Sequence, residues 1–313
     1  MDRFHEIEVF IAVNDAGSFS KASQRLRMSP PAVTRAVSAL EDRLGARLFQ
    51  RTTRRLAITD VGLRFLESAR RVLDDLGAAE REALGATATA RGHLTVTASV
   101  TLGRSLLAPV ACQFLSEYPE VTLSVLLLDR ITNLIEEGID AAVRIGPLPD
   151  STMVARKLGS VRRLLVASPD YLARHGTPTV PSDLTRHAMI AFTGLMPNRE
   201  WRFLDGRSGK SVSFMPRFEI NDAVSAIAAA EAGEGITVAL SYMVAEKIRQ
   251  GSLAPILQEV TPPPVPVHLV FPQTRIPAPK LRAFVDFVAP RMKRTLDNLE
   301  LPENPEPSEH AAG

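Results

Sequence analysis

Between residues 20 and 58 the chain carries nine basic side chains, Lys21, Arg25, Arg27, Arg35, Arg43, Arg47, Arg51, Arg54 and Arg55, against two acids, Glu41 and Asp42. Hydroxyls are threaded among them at Ser20, Ser29, Thr34, Ser38, Thr52 and Thr53. Cations with hydrogen-bonding neighbours suit phosphate oxygens and base edges, while a solvated basic face is the plainer reading of the same run. The rest of the chain does not share the excess. Residues 60–84 hold four basic and six acidic side chains, residues 92–313 hold 22 and 23, and residues 300–313 have four glutamates and no base. A whole-chain charge of +2 therefore conceals one strongly basic segment.

Little else in the sequence supports chemistry. The six histidines (His5, His93, His175, His187, His268, His310) are scattered, with no pair at metal-ligand spacing. Cys112 falls within an apolar helical run and is expected in the core. Gly233-Glu234-Gly235 reads as a helix end, not a phosphate loop. Neither catalysis nor a metal or cofactor is expected. A length of 313 residues, 45% hydrophobic and 23% charged, predicts two or three soluble globular domains and excludes a disordered or disulfide-stapled chain. The lone cysteine and the acidic start Met-Asp-Arg-Phe-His-Glu fit a cytoplasmic protein. The longest apolar runs, 121–128 and 223–230, fall far short of the ~20 residues of a membrane span, so no membrane partner is expected.

The basic segment needs elements to hold it. Phe4, Ile7, Phe10, Ile11 and Val13 recur at helical spacing, and Gly17 ends that helix. Ser20 is read as the cap of a second, short helix with Ala22 and Leu26 facing inward. Ser29-Pro30 starts a third, on which Val33, Val37, Leu40 and Leu44 form one apolar stripe before Gly45. Its other face presents Thr34, Arg35 and Ser38. Leu48-Phe49 and Leu56-Ala57-Ile58 predict two short strands around the tip 51–55. Together these make a winged helix-turn-helix over residues 1–59, with the third helix in a major groove. Arg35 suits a guanine edge or a phosphate, Thr34 and Ser38 do either more weakly, and the wing arginines suit phosphates and the minor groove.

The runs Gly17-Ser18-Phe19-Ser20-Lys21-Ala22, Ser29-Pro30-Pro31-Ala32-Val33-Thr34-Arg35 and Leu44-Gly45-Ala46-Arg47-Leu48-Phe49-Gln50-Arg51-Thr52 strongly resemble the DNA-binding end of LysR-type transcriptional regulators. The likeness continues through Leu56-Ala57-Ile58-Thr59-Asp60-Val61-Gly62. It implies DNA contacts from Ser20, Lys21, Ser29, Pro31, Thr34, Arg35, Ser38, Arg51, Thr52, Thr53 and Arg54. Many members carry Gln at the position of Pro30, so a base contact made there is absent or replaced in this chain. Residues 60–91 then read as a linker helix and hinge. Thr59 caps the helix, and Leu66, Ala69, Leu73, Leu76 and Ala83 fall on heptad positions. That stripe can pack on its own chain or pair with a second. The resemblance implies pairing, giving a dimer, and beyond it a tetramer, on double-stranded DNA with an interrupted palindrome.

From residue 92 to 298 short β-rich runs alternate with amphipathic stretches, which predicts two α/β lobes. Strands are expected at Leu94–Ser99, Val121–Leu128, Ala141–Ile145, Arg163–Ala167, Ala188–Thr193, Ser211–Arg217, Ile236–Leu240 and Val265–Phe271. Helices are expected at Arg104–Tyr118, Ile131–Glu137, Ala223–Ala232 and Leu281–Met292, with Ser168-Pro169 starting a short one. Phe114-Leu115, Arg144-Ile145-Gly146 and Gly233-Glu234-Gly235-Ile236 resemble the effector-binding domain of the same family, which is similar to periplasmic solute-binding proteins. The fold class is therefore α/β: a winged module, a linker helix and a two-lobed domain. The resemblance implies lobe I at 92–162 and 267–298 and lobe II at 163–266, and the prolines and glutamates of 299–313 predict an acidic disordered tail. Ligands of open α/β sheets sit at strand carboxyl ends. That points to Ser99, Val100, Thr101, Asp129, Arg144, Phe192, Thr193 and Asn221, with Arg144 suited to a small carboxylate. Ser99, Thr101 and Asn221 serve equally as helix caps, and Arg144 as a lobe–lobe ion pair. The expected function is a ligand-controlled transcriptional regulator. The alternative is a solute-binding or sensory protein with a vestigial DNA-binding module.

Overall fold

In the computed structural model, which describes residues 2–51, 56–83, 89–148, 153–205, 208–273 and 278–299, the chain forms two units. One comprises Met1–Leu94, Tyr118–Thr122 and Ile276–Arg282; the other comprises Thr95–Glu117, Leu123–Arg275 and Ala283–Gly313. Among the described residues no helix is long and apolar enough to cross a membrane.

Helix α1 (Arg3–Ala16) starts at Asp2, whose carboxylate accepts from the Phe4 amide at 3.1 Å, and ends at Gly17 with φ 63°. Helix α2 (Phe19–Leu26) begins after Ser18, not Ser20. Ser18 is the extended residue that follows the left-handed turn at Gly17, so Ser20 falls inside the first helical turn. Helix α3 (Pro30–Leu44) starts as Ser29-Pro30 predicts. The Ser29 side chain makes no capping bond, but its carbonyl accepts the Ala32 and Val33 amides at 2.9 and 3.1 Å. Val33, Val37 and Leu40 are buried with Val9, Phe10, Val13 and Ala22. Leu44, the last of that stripe, is exposed at the helix end.

Strands β1 (Phe49–Arg51) and β2 (Leu56–Ile58) pair antiparallel, with Phe49 opposite Ile58. The Phe49 ring lies 5.2 Å from Phe10, which lies 5.5 Å from Phe65, so aromatic packing ties the wing to α1 and to the next helix. That helix, α4 (Asp60–Ala83), is capped by Thr59, whose Oγ1 accepts from the Gly62 amide at 2.9 Å. Leu66 and Ala69 are buried within the chain, and Arg70 of α4 pairs with Asp15 of α1. The first two positions of the expected seam are thus used internally. Leu73 and Leu76 are half-buried and Val72 is exposed. The Ala83 side chain and residues 84–88 lie outside the described residues.

From Gly92 onward the elements run β3 (Gly92–Ala98), α5 (Val100–Leu102), a π-helical turn at Gly103–Leu107, α6 (Ala108–Glu117), β4 (Val121–Leu127), β5 (Ala141–Ile145), β6 (Met153–Val161) and β7 (Arg163–Ala167). Next come α7 (Pro169–His175), β8 (Met189–Phe192), β9 (Glu200–Asp205), β10 (Ser208–Ser213), β11 (Phe218–Ile220) and α8 (Ala223–Glu231). The last are β12 (Ile236–Leu240), α9 (Ser241–Arg249), β13 (Ala254–Ile256), β14 (Val265–Pro272) and α10 (Pro279–Asn298). One five-stranded sheet has the order β4-β3-β5-β14-β6, the other β11-β8-β12-β7-β13, and β9 with β10 forms a separate hairpin. The chain passes from the first sheet to the second at Arg162 and returns between β13 and β14.

Several expectations are corrected. The helix expected from Arg104 starts four residues earlier, directly after Ser99. Ile131–Glu137 is not a helix but a set of turns. The Asn133 side chain accepts from the amides of Ile135 and Glu136 at 3.2 and 3.5 Å, an arrangement that competes with helical pairing. The strand expected at Ser211–Arg217 is the end of the β9–β10 hairpin followed by the separate strand β11. Cys112 is exposed, because α6 turns Val110, Ala111 and Phe114 inward and leaves Cys112 on the opposite side.

Candidate nucleic-acid interface and ligand site

The buried stripe of α3 fixes what its outer face presents. With Val33, Ala36, Val37 and Leu40 inward, Pro31 and Arg35 are exposed one turn apart, and Thr34 and Ser38 flank them half-buried. Thr34 donates its hydroxyl to the Pro30 carbonyl at 3.0 Å, so that group is engaged within its own helix. Ser20 and Lys21 are exposed at the start of α2. Arg25 and Arg27 are exposed too, and Arg27 occupies the left-handed position that ends α2, φ 53°. Neither was singled out from the sequence, although both were counted in the basic block. Ser29 is exposed at the head of α3. In the wing, the Arg51 backbone pairs with Leu56, while Thr52, Thr53, Arg54 and Arg55 lie outside the described residues.

Two of the nine basic residues make ion pairs within the module, although Arg47 stays largely exposed. Arg43 pairs with Glu6 of α1, whose side chain is nearly fully buried. Arg47 reaches Glu41 at 2.9 Å, and the same carboxylate accepts the amides of Leu48 and Phe49 at 2.8 and 3.1 Å. Burial works to raise the Glu41 carboxyl; the Phe49 amide, Arg47 and the Leu48 amide outweigh it and hold the group below the ordinary carboxylate value. Glu41 thereby anchors the entry to the wing on α3. Lys21, Arg25, Arg27 and Arg35 are exposed outward cations suited to a phosphate backbone.

In the regulatory unit the carboxyl ends of β3, β4 and β5 converge, because β3 and β5 are parallel in register, Ala98 beside Val143, and the Leu128 amide donates to the Ala98 carbonyl at 2.9 Å. Ser99 and Val100 therefore lie near Asp129, whose Oδ1 accepts the Val100 amide at 2.9 Å. Thr101 follows half-buried in the first helical turn. Arg144 is level with Ser99 on the neighbouring strand. It donates to the Thr132 hydroxyl of its own lobe. Burial holds its guanidinium below the usual arginine value, and the nearby Glu137 carboxylate is gripped by Arg130 through bonds of 2.8 and 2.6 Å.

In the second sheet β11, β8 and β12 are mutually parallel, which brings Thr193, Asn221 and the start of α9 to one edge. The Thr193 amide donates to the Ile220 carbonyl at 3.0 Å. Phe192 departs from the sequence reading: it is 7% exposed and packs with Ala223, Ile227 and Ala230, so it is core. Asp222 rather than Asn221 caps α8, accepting the Ser225 amide and hydroxyl at 2.8 Å each, and Asn221 is exposed beside it. Tyr242 was missed. A repeat gives the signal that could have found it: Thr95-Val96-Thr97-Ala98-Ser99-Val100 and Thr237-Val238-Ala239-Leu240-Ser241-Tyr242 both run from strand through serine into a helix. Among the described residues no group of three or more His, Cys, Asp or Glu is arranged to hold a metal ion.

The family model described as "Bacterial regulatory helix-turn-helix protein, lysR family" matches residues 4–63, and that described as "LysR substrate binding domain" matches residues 87–293. The chain is 35% identical to the HTH-type transcriptional regulator CrgA of Neisseria meningitidis serogroup B, over 93% of this chain and 97% of that protein. The solved structure of CrgA, a LysR-type transcriptional regulator from Neisseria meningitidis, superposes with a TM-score of 0.59 over 92% of this chain and 98% of that one. The full-length structure of the Vibrio cholerae virulence activator AphB also gives 0.59, at 28% identity, covering 92% of this chain and 98% of that one.

Proposed function

Since the chain belongs to the LysR family of transcriptional regulators, we propose which of its residues read DNA and which sense the effector. Its function is that of the family: a helix-turn-helix module binds DNA, and a substrate-binding domain responds to a small molecule. The DNA contacts come from Ser20, Lys21, Ser29, Pro31, Arg35 and Ser38, joined by Arg25 and Arg27, with Thr34 packed behind them. Arg51, Thr52, Thr53 and Arg54 serve the wing. The observation that carries this is the outward set of Lys21, Arg25, Arg27 and Arg35 around the exposed face of α3.

The effector lies where the strand ends meet, near Ser99, Val100, Thr101, Asp129, Arg144, Thr193 and Asn221, with Tyr242 in place of Phe192. Residues 1–59 are the winged module and 60–91 the linker and hinge. Lobe I takes 92–162 and 267–298, and lobe II takes 163–266. That division is supported by one sheet built from 92–161 with 265–272 and another built from 163–256. Two chains join through α4, a tetramer forms from two such dimers, and the operator is an interrupted palindrome.

Gel-shift titration on the DNA upstream of the protein's own coding region, over a salt series, tests the reading. Specific over random DNA is expected at every salt, with affinity falling linearly on logarithmic axes. Arg35→Ala should weaken specific binding by about 1–3 kcal/mol where Arg35 reads a base. An equal loss on random DNA assigns it to phosphate instead.

A further inference from the structure

Among the described residues, two buried hydroxyls in the regulatory unit lack a hydrogen bond of ordinary geometry: Ser99 Oγ, at the end of β3, and Tyr242 OH, in the first turn of α9. Tyr242 is 7% exposed, so its phenol has been stripped of water with only the neighbouring Ser99 hydroxyl to compensate, which is unfavourable unless something else supplies a better bond. The two hydroxyls come from different lobes and lie beside one another, without a bond of ordinary geometry between them. Helix α9 is also uncapped. Its N-cap position is Leu240, which has no polar side chain, whereas α8 is capped by Asp222. The side chain of Ser241 is occupied elsewhere, accepting the Arg162 amide at 3.1 Å.

The third group at this place is an acid. Asp129 Oδ1 is held by the Val100 amide, and its negative field reaches the Tyr242 hydroxyl. Burial first, then Asp129, keeps that phenol protonated far above neutral pH, so it acts as a neutral donor. A full carboxylate placed against it would meet the same Asp129 field. The site therefore offers donors from Ser99, Tyr242 and the head of α9, and an acceptor from Asp129.

We propose that Ser99, Tyr242 and Asp129 form a subsite for an uncharged carboxamide-type group, an acceptor oxygen and an N–H donor on one planar unit. The oxygen takes the Ser99 and Tyr242 hydroxyls and the N–H turns to Asp129. This rests on the effector reading above and narrows it, because it displaces the small carboxylate that Arg144 by itself suggests. It also joins the lobes through the ligand, since Ser99 and Asp129 belong to one and Tyr242 to the other.

The test uses the full-length protein with benzamide, benzoate and benzylamine as matched probes, followed by thermal shift and calorimetric titration. Benzamide should bind tightest, and Tyr242→Phe and Ser99→Ala should each weaken it about tenfold. Without probe, Tyr242→Phe should melt at or above the wild-type temperature, because it deletes an unpaired buried hydroxyl. A lower melting temperature would show that the hydroxyl is bonded within the protein and overturn the proposal. So would benzoate or benzylamine binding tighter than benzamide, benzamide binding indifferent to Tyr242→Phe, or no probe binding at all. In those cases any other small molecule that stabilises the wild type and changes its gel shift leaves the effector reading standing. If no small molecule in a broad screen does so, that reading fails as well.

Discussion

Glu41 shows burial and hydrogen bonding in opposition at one side chain. Its carboxylate is 1% exposed and serves two backbone amides and Arg47. A carboxyl held below its ordinary value of 4.5 contributes stability that is complete above that value and lost as pH falls through the lowered one. Glu41→Gln should therefore destabilise the protein by about 1–3 kcal/mol in urea unfolding at neutral pH, and the gap to wild type should close in acid. A gap constant with pH would refute the assignment. His187 makes a similar case with a base. Tyr171 OH accepts the Ala188 amide at 2.9 Å, which leaves its proton for His187 Nδ1 at 3.2 Å. Burial first, and then the field of His175, hold His187 below its ordinary 6.5. Stability should fall as pH drops from that ordinary value through the lowered one, since the unfolded chain takes the proton more readily. His187→Gln should flatten that part of a melting-temperature profile, and an unchanged slope would count against it. Arg35 was recognisable in the sequence because it sits opposite an apolar stripe. The ion pair of Arg43 was not recognisable, because Glu6 lies 37 residues away and no local pattern joins the two.

At the scale of elements, the winged module was legible because its signals are local. Gly17, Ser29-Pro30 and Gly45 set helix ends through backbone conformation alone, and the apolar spacings supply the buried faces. The Ser20 cap was displaced by two residues, since the neighbouring serines Ser18, Ser20 and Ser23 compete for such a role less decisively than the turn at Gly17 does. The junction between wing and linker depends on a close approach at Gly62. A Cβ there would lie 2.3 Å from the Leu48 carbonyl oxygen and 2.7 Å from Ile58 Cγ1. Leu48 is held in place by its own bonds to Glu41 and Thr59, so the backbone has little room to yield. Gly62→Ala should cost roughly 1–3 kcal/mol by overpacking, read as a lower thermal midpoint with weaker DNA binding. An unchanged midpoint would show that α4 docks more loosely than this contact implies. The helix expected at Ile131–Glu137 failed for the opposite reason. Its apolar residues have helical spacing, yet Ile131 is 96% exposed and Ile135 64% while Leu134 is buried, so the helical stripe as a whole was not buried to reward a helix over the turn that Asn133 stabilises.

For the whole molecule, the proposed pairing of two chains through α4 narrows to a short stretch of that helix. Leu66 and Ala69 are consumed within the chain, which leaves Leu73 and Leu76, with Val72 beside them, as the part of α4 able to pair. Leu73→Asp should lower the mass seen by light scattering and weaken operator binding while leaving the melting of the regulatory unit unchanged. An unchanged mass would place the dimer contact elsewhere. The sequence by itself determined the basic reader, its helix boundaries, the alternation of strands and helices, and the family, because each is written in short-range spacing, turn chemistry or charge density. The tertiary structure alone decided which cations face outward, that Phe192 is core, that Cys112 is surface, and that Ser99, Asp129 and Tyr242 come together from positions up to 143 residues apart. Those outcomes depend on the register of parallel strands and on which face of a sheet is covered. Strand order and long-range burial are collective properties of the packed chain, and no local run of residues encodes them.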